Sequence, residues 1–464
     1  MRRIRPASPG RVPLALGSLA LTCVPTAAWA STPPDLTATG WGYLALAVFV
    51  TAYALVVTEE VTGLRKSKPL ILAAGLIWAL VAIAWKRSGT EQLADALRHN
   101  LLEYAQLLLF LLAAMSYVNT LEERRVFETL RARLAARQLS FRAAFWLTGS
   151  LAFCLSPLID NLTTALVTGA VVVAMGRGNA AFIAPACINI VLAANAGGAF
   201  SPFGDVTTLM VWQKGVVGFF EFFRLFLPSL VNWLVPAACM SFAMPEGSPQ
   251  KEHGAVAIKR GGIVVILLFG LTVALTVCGQ QRVGLPPFLG MMSGLGLLLL
   301  FGHFIRRREL RELADGAEPF EVFMSVKRVE WDTLLFFYGV MLCVGGLAAL
   351  GYLSALSGLS YEALGPSRAN VLLGVVSAVI DNIPVMFAVL TVQPEMSQGQ
   401  WLLVTLTAGV GGSLLSIGSA AGVALMGQAR GSYTFLAHLK WTWAIALGYA
   451  ASVATHFALN RASF

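Results

Sequence analysis

Charged residues are scarce in this chain. Asp, Glu, Lys and Arg make up 12% of its 464 residues, whereas hydrophobic residues make up 57%. Soluble domains carry roughly 25% charged residues, so the composition excludes an ordinary soluble protein and predicts an all-α polytopic membrane protein in contact with the lipid bilayer. The net charge of +9 does not indicate a nucleic-acid partner, because Lys and Arg cluster in the linkers between apolar runs, where they set membrane topology.

Cysteine is also scarce, and its positions argue against several kinds of site. Cys23 precedes the first long apolar run, and the other five cysteines lie in apolar segments without the paired spacing of a disulfide framework or metal centre. A nucleotide-binding motif of the form Gly-x-x-x-x-Gly-Lys-Ser/Thr is missing from the sequence, which argues against ATP as an energy source. We therefore expect no cofactor, and a transporter rather than an enzyme.

Residues 1–30 are predicted to form a signal peptide. Three arginines at residues 2–5 are followed by a short apolar core at residues 14–24, and residues 28–30 fit a small-x-small cleavage site. The alternative is an uncleaved first helix, although the core is short for a membrane span. Either way, we expect a multi-pass protein of a bacterial inner membrane, with Ser31 on the outer side.

The rest of the chain is predicted to form two halves of the same design. Apolar spans in each half precede a re-entrant hairpin with a polar tip and then a broken transmembrane helix. The first hairpin is expected to enter from the cytoplasm and the second from the outer side, which makes an inverted repeat. The first half is residues 31–244, with the hairpin at 141–175 and the broken helix at 182–220; a loop follows at 245–261; the second half is residues 262–464, with the hairpin at 369–392 and the broken helix at 401–428.

Two basic linkers lie on the same side of the membrane in this arrangement. Residues 65–68 carry three basic side chains, and residues 121–142 carry six arginines. The second linker is predicted to be an amphipathic helix on the membrane surface. Placing both linkers in the cytoplasm agrees with the positive-inside rule and with an outer N-terminus.

An Asp-Asn pair marks the tip of each predicted hairpin. Asp160-Asn161 and Asp381-Asn382 lie between apolar arms at an offset of 381 − 160 = 221 residues. A carboxylate at membrane depth is costly and indicates a functional site. The same pair is also common in turns and helix caps, and Asp205, in the break of the first broken helix, has the same alternative interpretation as a helix cap.

The polar residues at these breaks suit a hard cation such as sodium. Carboxylate, amide, hydroxyl and freed carbonyl oxygens are the ligands that such cations prefer. Burial and neighbouring carboxylates both favour the protonated form of an aspartate, so Na⁺ and H⁺ would compete for Asp160, Asp205 and Asp381. The candidate ion-binding residues are Ser156, Asp160, Asn161, Thr163, Thr164, Asn195, Ser201 and Asp205 in the first half, and Asp381, Asn382, Ser413, Ser416 and Ser419 in the second.

Three runs of the sequence resemble the NhaD-type sodium/proton antiporters of the ion transporter superfamily. They are SPLIDNLTT at residues 156–164, SPFGDVTTLMVWQ at 201–213 and VIDNIP at 379–384. The resemblance extends from about residue 41 to the end of the chain and does not include the leader. It implies a scaffold part with a homodimer interface, and a transport part made of the hairpins and broken helices.

The resemblance also implies which residues bind the ion. The ion-binding carboxylates would be Asp160, Asp205 and Asp381, assisted by nearby Asn, Ser and Thr residues. Dicarboxylate carriers of the superfamily have Ser-Asn-Thr at their hairpin tips, and an aspartate in place of the first serine would repel a carboxylate substrate. The second broken helix has Ser419-Ala420 and no acid matching Asp205, so the two half-sites are not equivalent.

The predicted function is secondary active antiport of Na⁺ or Li⁺ against H⁺ by alternating access, in the service of pH homeostasis. A transporter of arsenite or an organic anion in the same superfamily is an alternative, but the hairpin tips carry no Arg or Lys to favour an anion. An intramembrane aspartyl protease using two of the aspartates is an alternative of another class, although a dyad gives no reason for inverted hairpins. A channel is a further alternative, which saturable, proton-coupled exchange would argue against.

Overall fold

The computed structural model of the protein describes residues 35–89, 92–136, 139–176, 178–248, 256–312 and 320–464. The predicted signal peptide at residues 1–30 lies outside the described residues. Within them, every regular element is a helix, and ten helices are long and apolar enough to cross a membrane. The prediction of an all-α polytopic membrane protein is therefore confirmed.

The described residues of the first half form ten α-helices, and a 3₁₀ turn at Phe219–Leu225 leads into the last of them. They are α1 (Gly40–Val57), α2 (Glu59–Thr62), α3 (Ser67–Ser88), α4 (Leu93–Glu123), α5 (Val126–Ala135), α6 (Phe141–Ile159), α7 (Asn161–Gly176), α8 (Ala180–Ala199), α9 (Val206–Gln213) and α10 (Phe226–Ser241).

In the second half, eleven α-helices are formed by the residues that the structure describes. They are α11 (Gly262–Val283), α12 (Pro287–Glu312), α13 (Val322–Lys327), α14 (Trp331–Ala349), α15 (Tyr352–Ser357), α16 (Pro366–Val376), α17 (Asn382–Val392), α18 (Gln398–Gly411), α19 (Ala420–Gln428), α20 (Phe435–Leu439) and α21 (Thr442–Leu459). Short α15 and the π-helical turn Gly358–Glu362 that follows it were not predicted from the sequence.

The predicted amphipathic helix at residues 121–142 was wrong in its bounds. Its first residues continue α4, and α5 begins only after Arg125, whose positive φ of 59° breaks the helix. Arg124 is 2% exposed, lies 2.8 Å from a Glu309 carboxylate oxygen and stacks 3.7 Å above the Phe320 ring. This arginine was counted as a surface charge, but it joins α4 to the end of α12.

One group of helices is held together by hydrogen bonds between distant parts of the chain. The Trp78 and Trp85 indoles of α3 donate to carbonyl oxygens of α14 at 2.9 and 3.1 Å. The Tyr117 hydroxyl of α4 donates to the Gly294 carbonyl of α12 at 2.7 Å. Polar contacts between helices add to packing in a membrane, where no hydrophobic force drives helices together. Together α3, α4, α12 and α14 form a framework beside the hairpins.

The two hairpin and broken-helix units make matching contacts. In the first, the Ser156 hydroxyl donates to the Ala194 carbonyl at 2.6 Å. In the second, the Ser377 hydroxyl donates to the Ala408 carbonyl at 3.0 Å. The serines are offset by 377 − 156 = 221 residues, as the Asp-Asn pairs are, and the carbonyls by 408 − 194 = 214. Each hairpin is thus attached to its broken helix at the same place.

Glycine pairs allow the chain to turn back within each broken helix. A Cβ atom on Gly198 would lie 2.5 Å from the Gly204 carbonyl oxygen, and one on Gly412 would lie 2.4 Å from the Gly418 carbonyl oxygen. These contacts are with backbone atoms, which have little freedom to move. Any larger residue at Gly198 or Gly412 therefore pushes apart the two backbone segments that meet at the helix break.

We expect Gly198→Ala to destabilise the protein by about 1–3 kcal/mol, because overpacking against a fixed backbone carries roughly that cost. Gly427→Ala in α19 is the matched control, since a Cβ atom there meets nothing within 4 Å and alanine favours the helix. Thermal unfolding of the purified variants in detergent measures the difference. Equal unfolding temperatures for the two variants would contradict this account of the break.

Candidate ion-binding site at the hairpin tips

The first hairpin turns at Asp160. Its φ of 65° ends α6, and its carboxylate then accepts hydrogen bonds from the Thr163 backbone amide and hydroxyl, both at 2.8 Å. Asp160 therefore caps α7. A positive φ is uncommon for any residue except glycine, although Asp and Asn adopt it more often than most. The polar residue at this tip both breaks the chain and stabilises the new helix start.

The second hairpin turns in a similar way at Asp381. Its carboxylate accepts the backbone N–H of Ile383 at 3.4 Å and so caps α17. Its own backbone N–H donates to the Tyr53 hydroxyl of α1 at 3.0 Å. The aspartates at both tips are therefore helix caps, which is one of the two interpretations that the sequence leaves open. Both carboxylates also face a shared cavity.

Asp205 joins the two hairpins. It is 4% exposed, and one carboxylate oxygen accepts the Thr207 backbone N–H at 3.0 Å, which caps α9. The other oxygen accepts the side-chain N–H groups of Asn161 at 2.8 Å and Asn382 at 3.0 Å. One carboxylate thus bonds to the tip of each hairpin and starts the second part of a broken helix.

Asn195 joins the two broken helices. Its amide N–H group donates to the hydroxyls of Ser413 at 2.7 Å and Ser419 at 2.8 Å. Its amide oxygen accepts an N–H from Asn161 at 3.1 Å. Asn195, Ser413 and Ser419 therefore extend the polar network of Asp205 across both halves of the chain.

Four other predicted site residues have different environments. Ser156 bonds to a carbonyl of α8, as described above, and the Ser201 hydroxyl donates to the Pro157 carbonyl at 2.8 Å, so both hold the hairpin against the broken helix. The hydroxyls of Thr164 and Ser416 are buried and have no hydrogen-bond partner within the described part of the chain. Unpaired buried hydroxyls are expensive, but neither residue lines the cavity between the hairpin tips.

The hairpin tips enclose a cavity of about 70 Å³. By the same measure a single water needs at least roughly 10–15 Å³, so the cavity has room for a few waters or a partly hydrated cation. Side chains of α4 form much of its apolar wall. Its polar wall is formed by Asp160, Asn161, Asp205, Asp381, Asn382 and Ser419.

The three aspartates line this cavity without forming one cluster. Among the described residues, no three Asp, Glu, His or Cys side chains are placed to hold one metal ion together. In this conformation, a cation at the site would contact fewer than three carboxylates and would need amide and hydroxyl oxygens to complete its shell. The network around Asp205 provides both.

Sequence reasoning did not include Lys66 and Thr333, which also line the cavity. They lie at the start of α3 and α14, and Lys66 was interpreted as a topology-setting charge in a basic linker. No motif distinguishes it from Lys68, two residues further on. Only the packing of α3 against α14 brings Lys66 to the cavity.

Other polar residues in the apolar segments contact residues outside the cavity. Asn189 donates to the Phe145 carbonyl at 2.8 Å and accepts the Trp233 indole N–H at 2.8 Å. Glu103 forms an ion pair with Lys214, at the end of α9. Asn189 is a helix–helix contact, and Glu103 joins α4 to the broken helix.

The chain is similar over most of its length to known membrane transporters. The family described as citrate transporter, CitMHS, matches residues 53–409. The chain is 54% identical to the Na(+)/H(+) antiporter NhaD of Alkalimonas amylolytica, with 96% of each chain covered. It is 53% identical to the Na(+)/H(+) antiporter NhaD of Vibrio cholerae, covering 98% of this chain and 99% of the relative.

A plant protein is related at greater distance. Sodium/proton antiporter 1 of Arabidopsis thaliana is 32% identical, covering 90% of this chain and 72% of the relative. The family match at residues 53–409 includes both hairpins and the first broken helix and ends within the second. The chain therefore belongs to the CitMHS family of membrane transporters and, within it, to the NhaD antiporters.

Proposed function

We propose that the protein exchanges Na⁺ or Li⁺ for H⁺, and that Asp205 is the carboxylate for which they compete. The observation that carries this proposal is the double hydrogen bond from Asn161 and Asn382 to one Asp205 oxygen. Through these bonds and its cap of α9, one buried carboxylate contacts both hairpins and a broken helix. The printed names of the bacterial and plant relatives support the choice of ions.

The charge of the cavity favours a cation over citrate, although the wider family is described as citrate transporters. Asp160, Asp205 and Asp381 all line the cavity, and Lys66 is the only basic residue among the described residues of its wall. A carboxylate substrate would be repelled by this wall. The small volume also suits an inorganic ion better than an organic anion, because pockets for drug-sized ligands measure roughly 300–1,000 Å³.

Exchange follows from the two states of the Asp205 carboxyl. Without sodium, the amides of Asn161 and Asn382 donate their N–H groups to the carboxylate. Rotation of each amide presents its oxygen instead, which turns two donors into two cation ligands, and the Ser419 hydroxyl, which lines the same cavity, would add a third. A proton on Asp205 removes the charge that holds sodium, so each ion displaces the other.

The same contacts couple ion binding to alternating access. Asp205 bonds to both hairpin tips, so a change in its occupancy changes how the hairpins are held against α9. The matching contacts of Ser156 and Ser377 support two equivalent units, as an inverted repeat requires. The cavity is lined by Lys66 and Thr333, which lie at the side of the basic linkers, and we therefore propose that it is open to the cytoplasm in this conformation.

The protein would act in the bacterial inner membrane as a multi-pass secondary transporter, with its mature N-terminus outside and its basic linkers in the cytoplasm. There it would use the proton gradient to expel sodium and to regulate internal pH. We also propose a homodimer joined through the scaffold helices, which cross-linking in native membranes would test. A monomer in such membranes would contradict the homodimer.

We expect Asp205→Asn to reduce sodium-driven proton movement roughly a hundredfold or more, since each contact to a charged group is worth about 1.5–3 kcal/mol. Asp160→Asn and Asp381→Asn should also lose most activity. The measurement is collapse of the pH gradient in everted membrane vesicles when Na⁺, Li⁺ or K⁺ is added. Asp35→Asn is the control, because Asp35 is exposed and bonds only locally, to Thr37.

Two outcomes of this experiment would overturn the proposal. If no cation moves protons in the wild type, the protein is not an antiporter, and uptake of citrate or arsenite becomes the next test. If Asp205→Asn exchanges sodium as the wild type does, Asp205 is only a helix cap. Expression of each variant is checked by immunoblot so that lost activity is not lost protein.

We expect Asn382→Ala to raise the KM for sodium about tenfold to a hundredfold, because loss of a ligand to a charged partner costs roughly 1.5–3 kcal/mol. Asn161→Ala should do the same. Asn189→Ala is the matched control: it removes a buried amide from α8, which should lower the unfolding temperature without changing the KM. If Asn189→Ala raises the KM for sodium and Asn382→Ala leaves it unchanged, Asn382 is not a sodium ligand.

A further inference from the structure

Lys66 places a positive charge at the ion site. It precedes the first residue of α3, its side chain is half-buried, and it lines the same cavity as Asp205 and Asp381. Its ammonium lies 4.5 Å from the centroid of the Phe336 ring, which holds the head group through a cation–π contact. The lysine is thus directed inwards, unlike its neighbour Lys68, which is exposed.

The charge of Lys66 is not neutralised by a direct ion pair. Within the described residues, no carboxylate oxygen lies within 4.0 Å of its ammonium. The nearby acids have other partners: Asp332 accepts the Ser67 hydroxyl, and Glu330 accepts the Thr333 hydroxyl at 3.1 Å. The ammonium instead shares the wall of the cavity with the Asp381 carboxylate.

We propose that Lys66 is a tethered counter-cation of the ion site, which competes with sodium and so lowers the affinity of the inward-facing cavity for it. The inference rests on the proposed function, since it assumes that sodium binds among these aspartates. When the cavity is empty, the ammonium offsets part of the negative charge of its wall. When sodium enters, the two cations repel each other, which favours release of the ion from this side.

A purely structural role would make a different prediction. Lys66 could serve only to hold the start of α3 against Phe336 on α14. Its removal would then loosen the framework and either lower the maximal rate or raise the KM for sodium. A tethered cation instead predicts tighter sodium binding after removal of the charge, which a damaged structure does not produce.

The test uses Lys66→Met, Lys66→Gln and Lys66→Arg in the full-length protein. Methionine keeps an apolar stem for Phe336, glutamine keeps a polar head, and arginine keeps the charge. The KM for Na⁺ is measured in everted vesicles at an alkaline pH above which the exchange activity of each variant no longer changes. At that pH the aspartates are ionised with or without the lysine. Lys68→Gln is the control, because it removes a charge from the same linker outside the cavity.

We expect Lys66→Met and Lys66→Gln to lower the KM about tenfold or more, because removal of a unit charge about 4 Å away changes an affinity by more than tenfold at the effective permittivity of roughly 20 that applies near a protein surface. Lys66→Arg and Lys68→Gln should keep the wild-type KM. An unchanged or raised KM in both neutral variants, with active wild type, would overturn the role of Lys66 alone. No exchange by the wild type would overturn the proposed function itself.

If neither neutral variant exchanges sodium for protons, sodium binding to the purified proteins tests whether Lys66 lowers the affinity for sodium. Isothermal titration calorimetry with NaCl at the same alkaline pH gives the dissociation constant without a transport cycle. A dissociation constant below that of the wild type supports the tethered cation. One equal to it or above it contradicts the proposal.

Discussion

The arrangement of the transport part depends on the need to stabilise carboxylates away from water. A charged aspartate at membrane depth is tolerated only when other groups replace the solvent. Asp205 meets this need with three N–H donors, one from its own helix start and two from asparagines on separate hairpins. Because those donors come from three parts of the chain, the charge also holds those parts together.

The helix breaks also stabilise the buried carboxylates. Asp160, Asp205 and Asp381 each cap the first turn of a half-helix, where free N–H groups and the positive end of the helix dipole favour an anion. Ser419 occupies the corresponding position before α19, but it bonds to Asn195 and carries no charge. The site is therefore built from four helix starts with three carboxylates. The three carboxylates give the cavity wall its negative character, and the Ser419 hydroxyl lies in the same wall.

Much of this could be predicted from the sequence. The Asp-Asn pairs and the glycine-rich breaks are visible because polar groups and helix breakers contradict the apolar runs around them, and helices do end or begin at Asp160 and Asp381. The scarcity of charged residues was enough to predict a polytopic membrane protein. The bonds of Asn195 to Ser413 and Ser419 could not be foreseen in detail, because they join residues more than two hundred positions apart. The burial of Arg124 and Lys66 cannot be predicted from the sequence, because burial of a linker residue depends on tertiary packing and leaves no local pattern.

The account makes one claim on which the rest depends: sodium and protons compete for the Asp205 carboxyl. The most direct measurement is proton release on addition of NaCl to the purified protein in weakly buffered detergent solution, followed with a pH-sensitive dye at mildly acidic pH. The account predicts saturable proton release from the wild type, no release on addition of choline chloride, and none from Asp205→Asn. Sodium binding seen by calorimetry without proton release, or equal release from Asp205→Asn, would contradict it.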